Sequence, residues 1–558
     1  MKYFKIIFAF SLIFLMGFVA FGTFTHKKAE QINQESYSVP SVVKTLEVIS
    51  REPHSIEHPE AREDVRQYLF SRLRVLDSTA AYLYRYDSIP SKFGGSFDIG
   101  NVYGCFNPLG KDTADAYILL VAHFDSRYAQ DVRGKKVYSY GAADDGYGVA
   151  TILECLENAL DYRNLWSQGV KVLFTDSEEH NMDGMRCAFG RNREIFENVN
   201  LVINIEARGV KGPVLLFETS AGNSELIDFY TDFAQYPYTY SLTSVVYNLM
   251  PNYTDFTIVR DDIPGYNFSL LEDIDHYHTD KDNFSNISTN ALAHYGSQIQ
   301  PMVLEYLIDA RYGSSDYFKA EDDAVVFTVP GLGTKSFDKG GYFLFNSIIL
   351  MLCAVAFVLY LILGRISVKG VLKESAKVLT ISLIFAIVGF GVSFVASKVA
   401  GVPFNIVSTK YIAGDTLISV LTIALCAISY ILFYLKRRNA DISGKFVYER
   451  LFSGVFVSLL LAFLLLFTIG ENFFLLVPAG VALVAMILHT MIYLNNLSIL
   501  AIAVIELLAV SFLYNLLTAL TIGSLGVIMF LSAFYIIIMV SLFECYMIQN
   551  RKDYGRTI

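Results

Sequence analysis

Five short stretches of the chain carry residues able to do metal or proton chemistry. "VAHFDS" holds His123 and Asp125, "GAADDGYG" holds Asp144 and Asp145, and "DSEEH" holds Glu178 and Glu179. "NIEARG" adds Glu206, and "DIDHYHTDKDN" adds His276 and His278. All the donors are nitrogen or oxygen, with no thiolate among them. Such a set suits zinc, and manganese or cobalt less well. Two metal ions bridged by one carboxylate would neutralise the clustered negative charge and supply both a Lewis acid and an activated water. Strand alternation puts His123 and Asp125 on one face, where the carboxylate can fix the tautomer of the imidazole.

Each stretch also has a plainer reading. An isolated His-x-Asp at a strand end is more often structural, and a Glu-Glu pair is usually a solvated loop. Asp144-Asp145 can simply cap the next helix, Glu206 can pair with Arg208, and either histidine can lie on the surface. The metal reading gains its weight from all five stretches occurring together.

The elements that must position these residues are legible as well. "SVVKTLEVIS" and "AREDVRQYLFSRLRVL" have the apolar spacing of helices, and a strand-and-turn region, "DIGNVYGCFNPLG", follows. The apolar runs "AYILLVAHFDS", "GVKVLFTD" and "NLVINIEARG" read as buried strands. A helix starts near Gly148, and residues 287–311 form a closing helix. Strands alternating with helices predict an α/β domain with a largely parallel central sheet flanked by helices. Ligands of such sheets sit at the carboxyl ends of the strands, where the candidate residues lie.

The rest of the chain has a different character. Of its 558 residues 53% are hydrophobic, and mean hydropathy is +0.41, too high for an ordinary soluble enzyme. The excess is concentrated in a first segment, residues 1–28, and in runs beyond Tyr342 that approach the roughly 20 residues a membrane helix needs. The first segment reads as an anchor or a signal segment, with the anchor favoured by its length. Seven spans are expected, at about 342–364, 378–397, 413–435, 451–469, 473–494, 498–516 and 519–545. Residues 29–314 then form the catalytic domain, 315–341 a linker, 342–550 the membrane domain and 551–558 a tail.

Basic residues after the first and third of these spans, at the start of the fourth and at the end of the chain fall on one side if the spans alternate. That side is cytoplasmic by the positive-inside rule. The catalytic domain is therefore expected outside the cytoplasm, in a bacterial periplasm in preference to an organelle lumen. Lys27 and Lys28 oppose this mildly. The net charge of −10 argues against nucleic acid as a partner, and the six cysteines have no metal-like spacing. His489, inside a span, is a candidate functional group. Oligomeric state is not assigned.

His123-x-Asp125, the Asp144-Asp145 turn, Glu178-Glu179, Asn204-x-Glu206 and Tyr277-His278-Thr279 resemble, in order and approximate spacing, the di-zinc aminopeptidases of the aminopeptidase Y and bacterial leucyl aminopeptidase type. The resemblance covers about residues 40–312. The added membrane region is similar to the endoplasmic reticulum metallopeptidase and vacuolar membrane protease branch. It implies a zinc-exopeptidase fold and two zinc ions. Asp144 would bridge them, with His123 and Glu206 on one and Glu179 and His278 on the other. It also implies Glu178 as general base, Asp125 as a supporting carboxylate, Tyr277 as a donor to the tetrahedral intermediate, and a cis peptide after Asp144. Peptides and the lipid bilayer are the partners it implies. Many soluble members have aspartate where Glu206 stands, a departure read as tuning. Arg208 and Glu218 are candidates for the termini of the peptide or for ordinary salt bridges. Other functions in view are a single-zinc glutaminyl cyclase-like enzyme and a non-catalytic scaffold or transport protein with a peptidase-like domain.

Overall fold

A computed structural model describes residues 37–555, apart from short stretches at 133–134, 249, 251, 330–331, 407–411, 413, 439–443 and 493–496. The expected anchor at residues 1–28 lies outside the described residues, as does the side chain of His489. The chain divides into two compact units, with the main boundary along the sequence near residues 329–340.

The first unit begins with helices α1 (Val39–Ile49) and α2 (Pro59–Leu76), followed by strands β1 (Ala81–Pro90), β2 (Ser96–Phe106) and β3 (Tyr117–His123). A small hairpin, β4 (Gln130–Val132) and β5 (Lys135–Val137), precedes α3 (Gly146–Leu160) and β6 (Gly169–Thr175). Two short helices, α4 (Glu178–Asn181) and α5 (Asp183–Arg191), lead to β7 (Val199–Ile205) and β8 (Leu215–Thr219). Then come α6 (Ser224–Phe233), α7 (Ser241–Asn248), α8 (Phe256–Val259), β9 (Gly265–Ser269) and α9 (Thr289–Ile308).

Seven strands form one sheet in the order β1-β2-β6-β3-β7-β9-β8. The four central strands, β6, β3, β7 and β9, are mutually parallel, while β1, β2 and β8 pair antiparallel at the edges. The expectation of a largely parallel sheet thus holds for the core and not for the rims. The reason is visible in burial. Every residue of β3 and of β6 is buried, as strands covered on both faces must be, whereas in β1 only Tyr86 and Ile89 are buried. Helices α1, α3 and α9 pack on one face through Leu46, Ile152, Leu156, Ile299 and Val303. On the other face Met185, Ala188 and Phe256 cover Leu119, Val121 and Leu173.

The segment expected as a linker is not featureless. It holds the two-stranded pair β10 (Val325–Val329) and β11 (Gly333–Phe337), because "VVFTV" is rich in β-branched residues and an aromatic.

The second unit is helical: α10 (Lys339–Ile362), α11 (Val368–Ala400), α12 (Asp415–Arg438), α13 (Gly444–Ile469), α14 (Phe473–Ile492), α15 (Leu497–Leu520) and α16 (Leu525–Gly555). Among the described residues six are long and apolar enough to cross a membrane, and the apolar part of α14 is shorter, Phe473–Leu488. The expected spans overlap these helices, the last, 519–545, starting at the end of α15 and crossing a short turn before α16. Some polar groups inside this unit are paired, as low-dielectric surroundings favour. Arg450 bonds Glu544 and Ser541, and Glu449 accepts from the backbone and hydroxyl of Ser367. The six cysteines are free thiols.

Candidate metal centre

Strand β3 delivers His123 at its carboxyl end. Its Nδ1 lies 3.0 Å from the carbonyl oxygen of Asp125 and 3.5 Å from Asp125 Oδ1. Both neighbours are acceptors, so a neutral imidazole carries its proton on Nδ1 and leaves the Nε2 lone pair free. That Nε2 stands 3.2 Å from Asp144 Oδ1 and 3.8 Å from Glu206 Oε2, at the end of β7. The two aspartates of the glycine-flanked turn divide the two readings given for them. Asp145 caps α3 by accepting from the Gly148 amide at 3.1 Å, while Asp144 faces His123. The Asp144–Asp145 peptide is cis.

The second half of the centre is built on the turn after β6. Asp176 is fully buried, ion-paired with Arg62 and Arg66 of α2, and accepts from the Gly100 amide at 2.8 Å. Gly184 passes so close that a Cβ there would meet Asp176 O at 2.4 Å. Between them Ser177 adopts φ 64°, turning the chain into α4. Asp125 then accepts the amide hydrogens of Glu178 (2.9 Å) and Glu179 (3.3 Å). Glu179 Oε1 stands 3.1 Å from His278 Nε2, which is 3.2 Å from Asp144 Oδ2. The result is two triads that share Asp144: His123, Asp144 and Glu206, and Asp144, Glu179 and His278. In each, the three donor atoms lie within 4.8 Å of one another.

The electrostatics of this cluster call for positive charge. Burial would lower the pKa of His123, but hydrogen bonds to Asp125 and Asp144 outweigh it and raise the imidazole well above its usual value. Burial and then the charge of Glu206 push the Glu178 carboxyl well up. Glu206 is itself raised well above the ordinary range, chiefly by burial. Glu179 goes the other way: burial opposes ionisation, yet His278 and Arg127 hold it well below the carboxylate range. Asp144 Oδ2, Glu179 Oε1 and His278 Nε2 are buried polar atoms with no hydrogen-bond partner. Three unsatisfied donor atoms converging on one point are what a bound cation would satisfy.

Residues 101–303, which enclose both triads, match the family model of peptidase family M28. The chain carries a peptidase family M28 domain. Over 314 residues it is 28% identical to mouse endoplasmic reticulum metallopeptidase 1, a match covering 53% of this chain and 33% of that protein. The vacuolar membrane protease of Candida tropicalis is 27% identical over 258 residues, covering 45% of this chain and 26% of that protein. The chain thus spans about a third or less of the length of these curated relatives. A zinc-dependent exopeptidase from Parabacteroides distasonis aligns with a TM-score of 0.38 at 18% identity, over 49% of this chain and 98% of that one.

Within the M28 domain, the expected site residues His123, Asp125, Asp144, Glu178, Glu179, Glu206 and His278 are brought together. The ring of Tyr277 stacks on His278 at 3.6 Å between centroids. His276, the other histidine of that stretch, is in neither triad. Glu206 faces His123, and the buried Glu218 carboxylate pairs with the partly exposed Arg260. Three residues of the centre escaped sequence reading. Asp282 accepts from the Ala143 amide (2.7 Å) and the Ser139 hydroxyl (2.8 Å), fixing the Asp144 turn. Asp255 accepts from the Thr175 hydroxyl, and burial lifts it to about 6. Arg127 bonds Glu179 Oε2 at 2.6 Å. For Asp282 a signal existed, since it lies four residues beyond His278 in the same acidic stretch. Asp255 and Arg127 had none.

Proposed function

We propose that the M28 domain is a two-zinc aminopeptidase acting on peptides outside the cytoplasm, held there by the helical unit. The observation that carries this reading is the pair of donor triads meeting at Asp144, with unsatisfied buried atoms in one of them. His123, Asp144 and Glu206 would hold one zinc ion, and Asp144, Glu179 and His278 the other. When bound, the ions would polarise the scissile carbonyl and acidify water.

The residues of the chain supply the rest. Glu178 accepts a proton from the attacking water at its carboxylate and passes it to the leaving amine. Burial and the neighbouring Glu206 already make this carboxyl proton-seeking. Asp125 fixes the Glu178 backbone and orients His123 in one contact set. Tyr277, stacked beside His278, donates its phenol to the developing oxyanion. The basic residues Arg365, Lys369, Lys373, Lys377, Lys436, Arg437 and Arg438, which fall on one side if the spans alternate, support this side of the membrane.

The test is zinc analysis of purified full-length protein, coupled to cleavage of free and N-acetylated peptides and of an N-terminal glutaminyl peptide. The aminopeptidase reading expects zinc, cleavage of the free peptide and rejection of the blocked one. Equal cleavage of blocked peptides removes the aminopeptidase label. One tightly bound zinc with cyclisation of the glutaminyl peptide replaces the reading by a cyclase.

A further inference from the structure

We propose that Arg127 makes the two metal positions unequal, so that the ion held by Asp144, Glu179 and His278 is the weaker and leaves first. The inference rests on the two-zinc reading and adds to it an order of metal loss and the residue that sets it.

Arg127 Nη1 donates to both the side chain of Glu179, Oε2 at 2.6 Å, and its carbonyl oxygen at 2.9 Å. Its guanidinium lies over the ring of Tyr128, 4.2 Å from the centroid, which fixes it in place. The Glu179 carboxylate is therefore divided. Oε2 answers a permanent cation, and only Oε1 faces the triad. An arginine cannot give up its charge at working pH. It supplies part of the positive charge the acid cluster needs and repels any further cation arriving next to it.

Among the described residues, no arginine or lysine forms an ion pair at the other triad, and the ion pairs of Asp144 and Glu206 are with histidines alone. The histidines differ in the same sense. His123 has a side chain 1% exposed and is backed by the Asp125 carboxylate, which strengthens Nε2 as a donor. The His278 side chain is 18% exposed, so water reaches it more readily. A competing cation, a weaker donor and easier access of water all act at the same triad.

The experiment uses the zinc-saturated full-length protein in detergent, dialysed against a graded series of chelator, with bound zinc counted by atomic emission. The wild-type chain is expected to lose its two ions in separate steps. His278→Ala should hold one ion, lost at the later step. Arg127→Met keeps the stem on Tyr128 but drops the charge, and should move the early step to about tenfold higher chelator. Arg127→Lys keeps the charge and should stay near wild type. Loss of both ions in one step leaves the two-zinc reading standing and overturns the role of Arg127. So does earlier loss in Arg127→Met, because a neighbour that merely oriented Glu179 would cost about 10–100-fold in affinity when removed. A saturated wild-type protein with fewer than two ions overturns the two-zinc reading itself, and the proposal with it. Should Arg127→Met not fold, the wild-type steps and His278→Ala decide the order, and Arg127→Gln, which also drops the charge, decides its effect: an early step that does not move to higher chelator overturns the role of Arg127.

Discussion

The backbone amide of Glu178 donates to Asp125 Oδ1 at 2.9 Å, and the same carboxylate oxygen lies 3.5 Å from His123 Nδ1. One side chain thus sets both the imidazole of one triad and the backbone that carries the other triad's glutamate. Asp125→Asn keeps the shape and removes the charge. It should leave the fold intact and lower zinc affinity or turnover by about 10–100-fold. Metal content and peptide hydrolysis of the same preparation measure this. Wild-type values in both would remove Asp125 from the centre.

Asp176 is the anchor beneath the Glu178-Glu179 turn, and its value is in stability. Breaking a buried ion pair by removing one partner costs about 3–5 kcal/mol. Asp176→Asn strands Arg62 and Arg66 in the interior and should lower the denaturant midpoint of the M28 domain accordingly. An unchanged midpoint would mean that the arginines find other partners.

The loop joining α1 to α2 is tied to the turn after Asp125. His54 N donates to Ser126 Oγ at 2.9 Å, and His54 Nδ1 bonds the Glu52 carbonyl oxygen at 2.9 Å. Burial dominates, against the Glu52 hydrogen bond, and lowers His54 from 6.5 to about 4. Between those values the unfolded chain binds a proton that the folded chain refuses. Stability from this site is therefore complete above pH 6.5 and is lost as pH falls to about 4. The loss amounts to about 3 kcal/mol. Unfolding midpoints of wild type and His54→Gln across that window should converge as pH falls. Parallel curves would show that His54 does not titrate there.

The ligand set was legible in the sequence because its residues sit where apolar runs stop. His123 closes β3, Glu206 follows β7, and Glu178-Glu179 follow β6. Helices α1, α2, α3 and α9 were readable for a similar reason, since their apolar spacing repeats. What the sequence concealed depends on contacts between distant segments. Arg62 and Arg66 reach Asp176 across more than a hundred residues, and their positions on α2 say nothing of it. Asp255 sits beside Thr175 only because α8 packs across β3 and β6. The antiparallel rims were missed for another reason: β1 and β8 carry polar residues that blur the strand signal. The strand pair at 325–337 was overlooked because its strands are only five residues each.

Zinc dependence itself has a plain expectation. Chelation of the full-length protein should abolish hydrolysis, and added zinc should restore it. Hydrolysis that persists in protein shown to be metal-free would remove the metal from the reaction.

The most direct measurement of the central claim is Glu178→Gln, with zinc content and peptide hydrolysis taken on one sample. The side chain belongs to neither triad, yet it adjoins Glu179, which belongs to one. With Glu178 as general base, zinc should stay at the wild-type level and hydrolysis fall by about 10²–10⁴-fold, the usual contribution of a positioned base. Near-normal hydrolysis with full zinc content would contradict it.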